Sequence, residues 1–90
     1  MHETASIKPP NGKLVRVRAE YDDNEITAAQ ITGDFFLEPA DALADLEAAL
    51  VGHPTDVDTE TLVAAIEAVD ADLIGFDATD LATVTQEALE

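Results

Sequence analysis

Between Gly12 and Gly52 the hydrophobic period of the chain changes once, from two to nearly four, and the change falls at Gly33. From Leu14 to Tyr21 the residues alternate, with Val15, Val17, Ala19 and Tyr21 on one side and Leu14, Arg16, Arg18 and Glu20 on the other. That period is a β-strand with one face buried. Asp22-Asp23-Asn24 follows as a turn, in which Asn24 tolerates left-handed backbone. Glu25 to Thr32 reads as the returning strand of a hairpin. Its pattern is broken, since Ile26 and Ala28 share one parity while Ala29 and Ile31 share the other. The break predicts a bulge, or a strand buried on both faces. Gly33-Asp34-Phe35-Phe36-Leu37-Glu38-Pro39 then leads into a helix. Pro39 is placed to open it, Leu43, Leu46, Leu50 and Val51 form its apolar stripe, and Gly52 is placed as a left-handed cap ahead of Pro54.

Two further helices carry matching start signals. Asp58 is positioned to accept orphan amides, with Val57 and Leu62 as a hydrophobic staple and Leu62, Ile66, Val69 and Leu73 as the stripe. Asp77 repeats the arrangement with Phe76 and Leu81, followed by Val84 and either Ala88 or Leu89. A hairpin followed by three amphipathic helices closes a core only if the helices cover one face of the sheet. The expected class is therefore α+β, a small antiparallel sheet with three helices packed on one side. Residues 1–11 contain Pro9-Pro10 and no periodicity, which predicts a flexible arm. Pro10-Asn11-Gly12 reads as the turn into the first strand, and residues 12–90 as one domain.

Size and charge narrow the function. Ninety residues suit one modest core and no deep internal active site. At 47% apolar the chain is not a disordered one, despite its net charge of −16. It has no cysteine, which removes disulfides and thiolate metal sites. No apolar run is long enough for a membrane span and no signal pattern opens the chain, so a cytoplasmic location is expected. Of the 20 acids only Glu3 precedes Ala19, and all four cations, Lys8, Lys13, Arg16 and Arg18, lie before it. Such a surface repels nucleic acid and anionic membranes. It fits a docking face for a basic partner, or the hydrated acidic surface of a protein from a high-salt cell. The scarcity of lysine favours the high-salt origin. Arg16 and Arg18 share one strand face and either balance carboxylates such as Glu20 across the hairpin or meet an acidic group of a partner.

No catalytic constellation emerges. Asp70-Ala71-Asp72-Leu73-Ile74-Gly75 begins like a calcium loop, but its fifth position is Ile74 and its twelfth Leu81. His2 and His53 lack metal-ligand spacing, and His53 is placed to bond helix-terminal carbonyls. The sole serine, Ser6, lies in the arm, so an acyl-carrier role has no attachment site. The hairpin turn lacks the lysine of a lipoyl acceptor. Gly33, Asp34, Phe35 and Phe36 combine a tight bend with a core plug. They also offer an exposed aromatic anchor, with Phe35 as the exposed ring and Phe36 as the core one.

The hairpin, the Gly33-Asp34-Phe35-Phe36 junction and the helix ending at Gly52 together resemble the small C-terminal accessory domain of lipoate–protein ligases. Ile74-Gly75-Phe76-Asp77 before a short last helix is similar to the end of that domain. The order also resembles the iron–sulfur scaffold fold, whose chemistry requires the cysteines this chain lacks. The resemblance implies a non-catalytic small subunit of a bipartite ligase, forming a heterodimer with a catalytic subunit that binds ATP and lipoate. It implies that docking enables lipoyl-adenylate formation. Gly33, Asp34, Phe35, Phe36, Arg16 and Arg18 are the candidate partner-binding residues, with no catalytic or metal-binding residue expected. The rival reading is an acidic interaction module unrelated to lipoate, pairing through an exposed hairpin edge.

Overall fold

A computed structural model describes residues 2–10 and 12–89. In chain order the elements are β1 (His2–Ile7), β2 (Val15–Asp22), β3 (Glu25–Gly33), β4 (Phe36–Glu38), α1 (Ala42–Leu50), α2 (Thr59–Glu67), β5 (Asp72–Ile74) and α3 (Ala78–Ala88). Strands β1, β2 and β3 form an antiparallel sheet in that order, and β4 pairs with β5 in a second, two-stranded sheet. The α+β expectation holds, with the small second sheet as an addition.

The hairpin closes on Asp23 and Asn24, both with positive φ, at 51° and 65°. Two consecutive left-handed residues give the turn whose twist matches that of the flanking strands. Val15, Val17 and Ala19 are fully buried and Arg16, Arg18 and Glu20 exposed, as the alternation requires. On β3 the broken parity resolves as a bulge. Glu20 pairs with Ala28 but Tyr21 pairs with Ile26, which leaves Thr27 as the extra residue. The insertion brings Ile26, Ala29 and Ile31 to one face, opposite Tyr21, Ala19 and Val17.

That common face is the floor of the core. Helix α3 lies across β1 and β2, α1 lies against β3, and α2 packs on both helices. Leu46, Leu50, Leu62, Ile66, Leu81 and Val84 descend from them into one buried cluster. Helix α2 starts at Asp58, whose carboxylate accepts the Thr61 N–H at 2.8 Å. Helix α3 starts with a reciprocal cap: Asp77 accepts from Asp80 N–H at 2.8 Å, and Asp80 accepts from Asp77 N–H at 3.1 Å.

Three expectations are corrected. Residues 2–7 are a strand, not a flexible arm. Ala5 and Ile7 pack against the core, and β1 satisfies the backbone edge that β2 would otherwise leave open. The chain after it is also held, since Pro9 is buried, Gly12 N–H donates to Pro9 O, and Lys13 N–H donates to Gly75 O. Met1 and Asn11, which belong to the expected arm and turn, lie outside the described residues, as does Glu90. Helix α1 begins at Ala42, three residues after Pro39, because Phe36–Glu38 are extended and paired with β5. Its buried stripe is Ala42, Leu46 and Leu50, while Val51 has left the helix and is exposed. Leu73 belongs to β5 and not to the stripe of α2.

Candidate functional site

The junction begins at Gly33, whose φ is +154° and where a Cβ would overlap the carbonyl oxygen of Leu14. The N–H of Asp34 donates to that same carbonyl at 3.0 Å. A side chain at residue 33 would therefore push apart the contact that turns the chain out of the sheet. The glycine is the price of the bend, and Asp34 itself points to solvent.

The two phenylalanines take roles opposite to those expected. Phe35 is half-buried, and its ring lies 4.6 Å from that of Phe76, tilted by 56°. Phe36 is 66% exposed. The cause is local: Phe36–Glu38 form a strand, so alternation sends Leu37 inward against the core and Phe36 and Glu38 outward.

Strand β5 completes a small outward face. Phe36 pairs with Ile74, Leu37 with Leu73, and Glu38 with Asp72. Ile74 is 44% exposed, so an aromatic and an aliphatic side chain stand together in solvent. Beside them two carboxylates face each other across the strands, an arrangement that costs stability. A shallow groove lined by Phe35, Phe36, Leu37, Ala40 and Leu43 adjoins the face. Ile74, Asp72 and Glu38 were not among the expected site residues. A three-residue strand is too short to announce itself by alternation.

Arg16 and Arg18 lie elsewhere, on the uncovered face of the three-stranded sheet. Arg16 stands between Ser6 and Thr32, and Arg18 between Thr4 and Gln30. Arg18 comes within 3.9 Å of Glu20, two residues along its own strand and not across the hairpin. Both side chains are about half exposed, so the pair adds little stability. The six candidate residues thus divide between two places, the β3–β4 junction and this sheet face.

Among the described residues no three His, Asp or Glu side chains are grouped to hold a metal ion. The calcium-like stretch is β5 and the bend after it. His53 Nε2–H donates to Ala49 O at 2.9 Å, in the last turn of α1, as expected for a ring near a helix end. The buried Thr85 hydroxyl donates to Leu81 O at 2.7 Å. No helix among the described residues is long and apolar enough to cross a membrane.

A family model described as the bacterial lipoate protein ligase C-terminus matches residues 6–84, from within β1 to within α3. Among solved structures, a chain from an archaeal lipoylation system of Thermoplasma acidophilum, comprising a bipartite lipoate protein ligase and its E2 lipoyl domain, has the same fold. Its TM-score is 0.77 at 24% sequence identity, with 94% of this chain and 94% of that chain covered. No curated protein matches the chain in sequence.

Proposed function

The chain belongs to the family of lipoate protein ligase C-terminal domains, and from that premise we propose that it is a non-catalytic small subunit. It docks on a separate ligase catalytic subunit in the cytoplasm and enables lipoyl-adenylate formation for protein lipoylation. The observation that carries this reading is the family match over residues 6–84, which spans nearly the whole chain. The fold shared with a chain of similar length from a bipartite system supports it further.

On this reading ATP and lipoate sit on the partner. The small subunit acts by stabilising a closed catalytic pocket, which orients the reactants and excludes water. Pyrophosphate exchange tests it. The isolated chain gives none. Added to the cognate catalytic subunit, it switches on lipoate-dependent exchange, saturating at one chain per catalytic subunit. Transfer from pre-made lipoyl-adenylate depends on it less. Full exchange by the catalytic subunit alone would overturn the proposal.

The rival interaction module relied on an open hairpin edge. In the structure β1 covers the edge of β2. The outer edge of β3 is met by Glu47, which accepts the Ile31 N–H at 2.8 Å, and by residues 52–55 through Ile26 N–H to His53 O and Gly52 N–H to Ile26 O. The hairpin edge is therefore engaged along β2 and at Ile26 and Ile31 of β3, which leaves less of it free for another strand.

A further inference from the structure

We infer that the outer face of β4 and β5 is the surface that seats on the catalytic subunit. Its counterpart there is an apolar pocket for the Phe36 ring, with an arginine or lysine beside it to stand between Glu38 and Asp72. This inference rests on the reading of the chain as a docking subunit and adds the place and chemistry of the contact.

Three observations meet at this face. Phe36 and Ile74 are register partners, and both are well exposed, at 66% and 44%. An exposed aromatic flanked by an aliphatic residue is the kind of anchor that dominates binding energy at protein interfaces. Its backbone is held in place from below, because Leu37 and Leu73 pack on the core and the Phe35 ring packs at a tilt against Phe76. Little ordering entropy is then lost on binding. Finally, Glu38 and Asp72 oppose each other directly on the same face. Two facing carboxylates repel in the free chain, and a cation inserted from a partner would turn that cost into attraction.

The same charges argue against other occupants. A second copy related by a two-fold axis would bring this acidic face against itself. With a net charge of −16, nucleic acid and anionic lipid are repelled as well. A protein surface that is apolar at its centre and basic at its rim fits.

The test measures affinity for the cognate catalytic subunit by calorimetry, with melting of the free chain recorded in parallel. Phe36→Ala should weaken binding by about 30-fold or more, as truncation of an aromatic anchor does, while the melting temperature is unchanged. Ile74→Ser should weaken it less. Glu38→Gln should raise the melting temperature slightly and yet weaken the complex, a combination that a purely structural role would not produce. Glu38→Lys with Asp72→Lys should weaken binding most at low salt, with the loss shrinking as potassium chloride is added.

If wild type binds and activates while all these variants bind equally well, the face is wrong and the proposed function stands. If Arg16→Glu with Arg18→Glu alone abolishes binding, the contact lies on the three-stranded sheet instead. Should Phe36→Ala lower the melting temperature, the Glu38 and Asp72 variants decide. Self-association lost on Phe36→Ala would make the occupant a second copy and overturn the inference. No binding of wild type to the catalytic subunit would overturn the inference and the proposed function together.

Discussion

The rings of Phe35 and Phe76 meet at 4.6 Å and 56°, and so tie the residue before β4 to the residue before the capping box of α3. Two chain segments some forty positions apart are joined by this pair. The small β4–β5 sheet projects from that joint.

Removing either ring should loosen the joint. Phe76→Ala is expected to cost about 3–5 kcal/mol, as for a buried phenylalanine, and Phe35→Ala about 2–3 kcal/mol because its ring is only half-buried. Phe36→Ala should stay within about 0.5 kcal/mol. Urea denaturation of the three variants measures this. A double-mutant cycle on Phe35 and Phe76 should return a coupling of roughly 0.5–1.5 kcal/mol. A large loss at Phe36 would mean that the two rings have been assigned the wrong way round.

Two glycines with positive φ should respond differently to alanine. At Gly33 the new methyl group meets the Leu14 carbonyl oxygen, so backbone strain and a clash with main chain add. A loss of about 2–4 kcal/mol is expected. At Gly52, with φ +91° and nothing within 4 Å of the added carbon, only the left-handed backbone is strained. There the cost is about 1–2 kcal/mol. Thermal melts that rank Gly52→Ala below Gly33→Ala would contradict the geometry.

Hydrogen bonds from Thr61, its side chain first and its backbone N–H second, hold the Asp58 carboxyl below its ordinary 3.8. A group with a depressed folded pKa stabilises the fold above its unfolded value, and that contribution is lost as pH falls through the folded value. Asp58→Asn keeps a capping side chain but removes the titration. Wild type should therefore exceed Asp58→Asn in stability by a constant margin at neutral pH. The margin should shrink once pH drops below about 4. A margin that grows with acid would show the sign to be wrong.

Salt should stabilise the free chain. Nineteen acids from Ala19 onward face no Lys or Arg in the same stretch, and the only ion pair among the described residues is the loose Arg18–Glu20 contact. Their mutual repulsion is screened over about 10 Å at 0.1 M salt and roughly 3 Å at 1 M. The melting temperature is expected to rise through molar potassium chloride. A melting temperature that ignores salt would remove the case for a high-salt origin.

The elements that could be read from sequence are those whose signals are local and redundant. Asp58 and Asp77 announce helix starts by cap and staple together, and both helices begin where those signals stand. Asn24 marks the turn, and the conflicting parities of Ile26 and Ile31 mark the bulge. What escaped notice depends on distant partners. Residues 2–7 carry only two apolar side chains on the buried side and become a strand because β2 offers an edge and α3 a cover. Phe36–Glu38 and Asp72–Ile74 are each too short to specify a strand alone and exist only as a pair. The exchange of roles between Phe35 and Phe36 follows from that pairing. The candidate site was therefore legible as a stretch of chain, but not in which of its side chains reach solvent.

Thr27 acts on β3 as a phase shift does on a wave. Upstream of it Ile26 is in step with the buried face, and downstream Ala29 and Ile31 are in step with it too, but the two runs are out of step with each other along the chain. Deleting any single residue between Ile26 and Ala29 would restore a regular rhythm. Ile26, Ala29 and Ile31 would then alternate regularly on the buried face, and the strand would lose only the local bend and extra twist that the bulge gives it. The extra residue at Thr27 thus sets the curvature of β3 near the hairpin and not which of its side chains are buried.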